Sequence, residues 1–337
     1  MRKGAPTKQL GMAALKNRRV LIAGGLGFIG SNLAHRLVRI GARVTILDNL
    51  MPDSGANWFN VAGIRNGLVV NISDVQGIQS MRYLVTDQEY LFNLAGQTSH
   101  LDSMHDPYTD LEVNCRAQLS ILEACRHHNP KIKVVYASTR QVYGKPDSFP
   151  VNENHLLRPV DVNGINKMAG EWYHILYNNV YGVTACALRL TNTYGPRMRV
   201  KDARQTFLGF WIRCLVEGKP FQVWGGQQLR DFTFVDDAVD ALILAATDDA
   251  ANGCVFNLGG SQVVSLRELA GLLVEINGRG EYDICPYPPE QKRIDIGDYY
   301  ADYRKIQSAL GWRPRVGLRA GLARTLRYYH KHLKRYL

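Results

Sequence analysis

The feature that most constrains this chain is a glycine turn, Ala23-Gly24-Gly25-Leu26-Gly27-Phe28-Ile29-Gly30, set directly after the apolar run Val20-Leu21-Ile22-Ala23. A short continuous apolar run of this kind reads as a strand buried on both faces of a parallel sheet. After the turn, Ile29, Leu33, Leu37 and Ile40 recur at helical spacing until Gly41 ends the segment. A second strand, Arg43–Asp48, closes on a carboxylate 18 residues beyond Gly30. Glycine spacing alone is a weak signal in a chain with 31 glycines. The order strand, turn, helix, strand, acid is far more specific. Glycines permit a tight turn and close approach to a pyrophosphate, and the helix N-terminus offers free amides to it. A carboxylate ending the second strand accepts the adenosine ribose hydroxyls and repels a 2′-phosphate. The order therefore predicts a site for NAD rather than NADP, with Gly24, Gly27, Phe28, Ile29, Gly30, Asp48 and Asn49 around the cofactor.

Further strands are expected at 68–70, 90–94, 132–138 and 183–190, with strong helices at 108–128 and 164–180. Strands alternating with helices of this length predict an α/β fold, a doubly wound parallel sheet of Rossmann type. Beyond Leu190 the rhythm changes: helices near 205–217, 236–246 and 265–276 are separated by Gly- and Pro-bearing loops. This half is expected to form a smaller C-terminal substrate-binding domain. The expected division is a flexible arm over 1–17 and a nucleotide-binding domain over 18–190, with 231–258 packing back on it. Residues 191–230 and 259–337 then form the substrate domain.

Composition excludes several other classes. With 46% hydrophobic and 21% charged residues the chain is an ordinary globular one. No apolar stretch approaches the length of a membrane span, and the first 17 residues lack the apolar core of a secretory signal. The six cysteines form no CxxC pair, so neither a metal site nor a disulfide framework is expected, and a reduced, cytoplasmic protein is. The net charge of +11 leaves two readings open: a solvated basic face, or a preference for anionic ligands. Nucleic acid is not an expected partner, because the basic residues are scattered and no nucleic-acid motif occurs. The densest basic stretch, 315–335, is expected on the polar face of a closing helix.

Several segments carry a family likeness: Asn93-Leu94-Ala95-Gly96, Asn114, Ala137-Ser138-Thr139-Arg140-Gln141-Val142-Tyr143-Gly144, 188–197, 230–237 and Leu310-Gly311-Trp312-Arg313-Pro314. Together with the glycine spacing, they resemble the extended short-chain dehydrogenase/reductase family, specifically its NAD-dependent nucleotide-sugar enzymes. The likeness runs from about Arg19 to Leu318. It implies that Leu94, Ala95 and Gly96 flank the cofactor and that Asn71, with Ile72, lies near the adenine. It also implies that Asn192, Arg230 and Arg293 contact a substrate diphosphate. Arginine forks suit phosphate oxygens, although Arg230 could instead pair with Asp231 or Asp236.

In that family a Ser or Thr holds a sugar hydroxyl, and a Tyr of a Tyr-x-x-x-Lys unit takes its proton. The Lys lowers the Tyr pKa and binds the nicotinamide ribose. Thr139 and Lys167 match two of these roles, but Asn163 stands where the Tyr is expected, and none of the 17 tyrosines has a Lys four positions later. An amide is no proton acceptor, and losing a positioned base typically reduces rate by about 10²–10⁴. Three readings stay open: another group serves as base, with Tyr143 first and then Lys167 or a water held by Asn163; the substrate supplies it; or the chain binds without efficient chemistry.

The 4,6-dehydratases of the family carry Asp-Glu directly after the Thr, and the related decarboxylases carry a Glu there. Here the pair is Arg140-Gln141, with Arg140 expected at the surface or against an acidic sugar. By elimination the resemblance implies an epimerase acting at C4 of a UDP-sugar, working as a homodimer through helices 108–128 and 164–180. A sugar-nucleotide dehydrogenase or decarboxylase is the alternative, and an NAD- and sugar-nucleotide-binding protein is the alternative of another class.

Overall fold

The computed structural model describes residues 13–337, the side chain of Gln291 excepted. Seven parallel strands build the main sheet: β1 Arg19–Ala23, β2 Arg43–Asp48, β3 Leu68–Ile72, β4 Tyr90–Asn93, β5 Lys133–Thr139, β6 Ala185–Leu190 and, far later in the chain, Val255–Asn257. Their order is β3-β2-β1-β4-β5-β6 with the 255–257 strand outermost beside β6. The chain order reverses between β1 and β4, which opens a crevice at the carboxyl ends of the strands, as doubly wound sheets do. All but the first residue of β1 is buried, as is all of β5 up to Thr139, in accord with their apolar sequences.

The helices that carry the site differ in how they start. α1, Phe28–Arg39, opens directly from the glycine turn with no side chain capping it, so its first amides face the crevice. α2 is Ile78–Val85, α3 is His100–His105 and α4 is Pro107–Leu111. The helix expected over 108–128 is not uniform: it widens into a π turn at Glu112–Arg116 before continuing as α5, Ala117–His128. α6, Val162–Tyr181, is capped by Asp161, whose carboxylate accepts from the Gly164 amide at 2.6 Å. Gly182, in the left-handed region at φ 71°, ends it.

The C-terminal half adds β7 Asn192–Tyr194, α7 Phe207–Glu217, β8 Phe221–Trp224, β9 Leu229–Phe234, α8 Val235–Thr247, β10 Val255–Asn257, β11 Val263–Ser265, α9 Leu266–Asn277, β12 Tyr282–Cys285, α10 Pro289–Arg293, α11 Arg304–Leu310 and α12 Leu318–His332. β7, β9 and β11 form one small sheet, and β8 with β12 another. α8 is buried along almost its whole length and packs on β5, β6 and α1, and β10 extends the main sheet. α8 and β10 thus pack on the first half, where their apolar side chains are removed from water, whereas β9 stays in the small sheet.

Most of the arm expected over 1–17 lies outside the described residues. Its last five residues are not free: Leu15 is fully buried and the Asn17 amide donates to the Gly41 carbonyl at 2.9 Å. No helix among the described residues is long and apolar enough to cross a membrane.

Candidate active site

One cleft runs along the carboxyl ends of the strands. It is lined by Gly24, Gly27, Phe28, Ile29 and Gly30, by Asp48 and Asn49, by Leu94, Ala95 and Gly96, and by Thr139, Asn163, Lys167 and Asn192. The sequence-expected residues from six separate segments therefore meet in one place. The turn is as tight as its composition requires. Gly24 adopts φ 78°, and a Cβ on Gly30 would lie 2.2 Å from the Gly24 carbonyl oxygen. At the far end of β2, Asp48 is 8% exposed and accepts the Leu26 and Leu50 amides, both at 3.0 Å. Burial pushes its carboxyl above the ordinary range, with the two amides opposing. A glycine cradle, an uncapped helix N-terminus and a carboxylate at the second strand end form a donor and acceptor set that fits NAD.

Two expected cofactor contacts are corrected. Asn71 and Ile72 do not line the cleft: the Asn71 side chain accepts from the Ser73 hydroxyl at 2.6 Å, and Ile72 is exposed. The chain turns over the cleft only after β3 ends, so Ser73, Asp74 and Val75 line it instead, and the Asn49 amide donates to Asp74 at 2.9 Å.

On the opposite side, β5 delivers Thr139 to the cleft. Its hydroxyl oxygen accepts the Gln141 amide at 3.2 Å and so caps the short helical turn Arg140–Tyr143. Lys167 comes from α6, with Nζ donating to the Ala137 carbonyl at 3.1 Å and lying 5.0 Å from the centre of the Tyr136 ring. Burial pushes the Lys167 ammonium down to about 8, with Asp110 opposing.

Asn163 lies beside Thr139 and Lys167 in the cleft wall but is committed to a buried polar knot. Its Nδ2 donates to Asp110 Oδ2 and to the Gln97 carbonyl, both at 2.9 Å. Asn114, from the π turn, makes the same two bonds at 2.9 Å, and Asn166 donates to Asp110 Oδ1 at 2.8 Å. Three amides thus hold one fully buried carboxylate. A Cβ on Gly96 would lie 2.8 Å from both Asn114 Oδ1 and Lys167 Nζ, so a larger residue there would displace these side-chain ends.

Tyr143 is corrected as the first candidate base. It does not line the cleft and is fully buried. Its hydroxyl donates to Asn257 Oδ1 at 2.7 Å and accepts from Arg189 at 2.6 Å, and burial pushes its pKa up to about 12. It belongs to a structural network in which Arg189 clasps Glu171 with two bonds of 2.6 and 2.9 Å and Ser138 donates to the same carboxylate.

The substrate side divides. Asn192 lines the cleft, donates to the Asp231 carbonyl and accepts from Arg140 at 3.0 Å. Arg140 also lines the cleft rather than the surface, and burial lowers its pKa to about 10, with the Arg230 charge adding to that effect. Arg230 and Arg293 do not line it. Arg230 is buried with its guanidinium on Asp295, the Gly297 carbonyl and the Leu229 carbonyl, and its ion-pair partner is neither Asp231 nor Asp236. Arg293 is exposed at the end of α10.

Sequence reasoning singled out neither Asp110 and Asn166 nor a second pair. His100 lines the cleft with Nδ1 2.9 Å from Asp161 Oδ2. Burial alone would raise Asp161, but hydrogen bonds from His100, Gly164 and Gln141 hold its carboxyl below the ordinary range. No spacing rule joins residues 61 positions apart, and only the packing of α3 against the start of α6 brings them together.

Fold and site define a dinucleotide-dependent enzyme with its reaction chamber at the switch point of a Rossmann sheet. The family model of the NAD dependent epimerase/dehydratase family matches residues 20–259. The UDP-glucose 4-epimerase of Mycolicibacterium smegmatis is 30% identical over 315 residues, covering 92% of this chain and 98% of that protein. Among solved structures, the UDP-glucose 4-epimerase of Thermotoga maritima with UDP-glucose has a TM-score of 0.84 at 29% identity, covering 94% of this chain and 99% of that one. The Thermus thermophilus UDP-glucose 4-epimerase complex with NAD has a TM-score of 0.83 at 28% identity, covering 93% and 99%. The chain belongs to the NAD dependent epimerase/dehydratase family, and NAD is its cofactor.

Proposed function

We propose that this chain is a UDP-sugar epimerase that oxidises one sugar carbon, C4 in the first instance, and reduces it again from the opposite face. The observation that carries this reading is the meeting of Thr139 and Lys167 beside the glycine cradle, with Arg140 and Gln141 rather than two carboxylates following Thr139. Elimination of water needs an acid and a base at those two positions, and neither residue supplies a carboxylate. Bound NAD supplies the hydride acceptor and donor.

The chain's own residues bind and orient. Thr139 spends a lone pair on the Gln141 amide, which leaves its O–H to hold a sugar hydroxyl. Lys167 presents its ammonium group at the cleft wall, where it can hold ribose hydroxyls. Asn192 and Arg140 receive the anionic part of the substrate, and the half-buried Arg140 guanidinium is the better-placed cation for a diphosphate than Arg230. The substrate half comprises 191–230 and 259–337, with 18–190 and 231–258 forming the cofactor half.

Exposed apolar side chains on the helices expected to dimerise, Tyr108 and Leu111 on one and Trp172 and Leu176 on the other, support a homodimer. Six cysteines without a disulfide among the described residues support a cytoplasmic setting.

Purified protein incubated with UDP-, GDP-, CDP- and dTDP-sugars and followed by NMR tests the reading. New anomeric signals without net NADH identify an epimerase. Accumulating NADH absorbance identifies a dehydrogenase, and tight binding without turnover across the panel identifies a binding protein.

A further inference from the structure

The epimerase reading needs a proton acceptor at the sugar hydroxyl, and neither Asn163 nor Tyr143 can provide one. The titratable side chains lining the cleft are Asp48, Asp74, His100, Arg140, Lys167 and Arg199. Asp48 and Asp74 stand at the ends of β2 and β3, across the glycine turn from Thr139. The two arginine side chains offer donors and no acceptor. Lys167 points Nζ at the Ala137 carbonyl, where it acts as a donor.

His100 differs from all of these. Its Nδ1 lies 2.9 Å from the buried Asp161 carboxylate and 3.3 Å from Gln141 Nε2, which itself donates to Asp161 Oδ2 at the shorter 3.1 Å, and Nε2 has no hydrogen-bond partner among the described residues. A carboxylate at the shorter distance on Nδ1 favours the neutral tautomer that carries its lone pair on Nε2 and stabilises the imidazolium once a proton arrives. The pair is tied to the reacting centre at three points. Gln141 donates its side-chain amide to Asp161 Oδ2 at 3.1 Å and its main-chain amide to the Thr139 hydroxyl at 3.2 Å. Asp161 caps the helix that carries Asn163 and Lys167. Ser103, on the same short helix as His100, accepts the Asn163 main-chain amide at 3.2 Å.

We propose that His100 is the general base of this enzyme and that Asp161 is its positioning residue, an assignment that rests on the epimerase reading. The hydroxyl held by Thr139 loses its proton to His100 Nε2. The O–H electron pair would form the second carbon–oxygen bond while hydrogen leaves that carbon with its own pair, for which bound NAD would supply the acceptor. Return of hydride to the opposite face and of the proton from the imidazolium regenerates the hydroxyl, so neither oxidant nor acid is consumed. The departure at 163 is then coherent: Asn163 ties the helix to the Asp110 knot, and the proton acceptor comes from the short helix packed against the start of the Asn163 helix.

Two readouts test this. In ¹⁵N-histidine spectra of the protein without sugar, the signals missing from His100→Ala are expected to show Nδ1 protonated and Nε2 bare, with the preference lost in Asp161→Asn. A protonated Nε2, or a tautomer indifferent to Asp161→Asn, overturns the assignment. In turnover of a UDP-sugar that the wild type epimerises, His100→Ala is expected to lower kcat about 10²–10⁴-fold with KM little changed, and added imidazole to restore part of it. A folded His100→Ala protein within tenfold of wild type, or one that imidazole does not restore, overturns the base role alone. A wild type that turns over no sugar of the panel overturns the epimerase reading and the base role together.

Discussion

Asn163 Nδ2 lies 2.9 Å from Asp110 Oδ2, so the residue at which the family resemblance leads one to expect a tyrosine is a donor to a fully buried carboxylate. Asn163 is itself only 2% exposed. Replacing it by tyrosine would force a ring into a packed wall and remove one of the three amides that hold Asp110. Asn163→Tyr is therefore expected to lose about 2–4 kcal/mol of stability and to gain no activity. Urea unfolding and the NMR turnover assay check this together. A stable and faster variant would mean that the site is a degenerate copy of the family's, with no substitute base.

Asp48 predicts cofactor preference. Asp48→Asn still accepts the Leu26 amide but loses the charge that attracts ribose hydroxyls and repels a 2′-phosphate. A hydrogen bond to a charged group contributes about 1.5–3 kcal/mol, so NAD affinity should fall about 10–100-fold while NADP affinity rises. Calorimetric titration with both cofactors measures the ratio.

Lys167 carries a pH signature. Its ammonium group titrates at about 8 when folded, against 10.5 as the ordinary value. Between these values the unfolded chain holds a proton that the folded chain has released, so stability rises with pH across that window. Below pH 8 the buried charge lowers stability by about 3 kcal/mol. Lys167→Met should remove that slope between pH 8 and 10.5, leave the cofactor-free protein at least as stable at pH 7, and abolish turnover. ¹³C-methyl labelling of lysines provides the titration directly, and a midpoint near 10.5 would refute it.

Tyr143 offers the converse case. Its hydroxyl joins Arg189 to Asn257 and does not reach the cleft. Tyr143→Phe should reduce stability by about 1–3 kcal/mol by leaving buried partners unpaired, with kcat falling less than tenfold. A 10²-fold or greater fall in kcat with unchanged stability would return Tyr143 to the chemistry.

The first half of the fold was legible from local pattern. Continuous apolar runs became β1 through β6 within one or two residues, and the period of 3.6 located α1 and α6. The glycine turn, Asp48, Thr139 and Lys167 were legible because each is bound to a fixed place on a strand end or helix face. The π turn was not, because a single widened turn leaves the hydrophobic period on either side intact. Asn71 was misplaced by the few residues between the end of β3 and the cleft.

Sequence by itself determined the sheet, the cofactor and the absence of a tyrosine at 163, since all three follow from residue type and spacing along one segment. Tertiary structure decided which candidate groups face the cleft. Whether Tyr143 faces the cleft or Arg189, whether Arg230 meets a ligand or Asp295, and whether His100 meets Asp161 all depend on contacts between segments far apart in the chain. Hydrogen bonds and ion pairs act over a few ångströms, and no periodicity along the chain encodes which distant side chains the packing brings within that range.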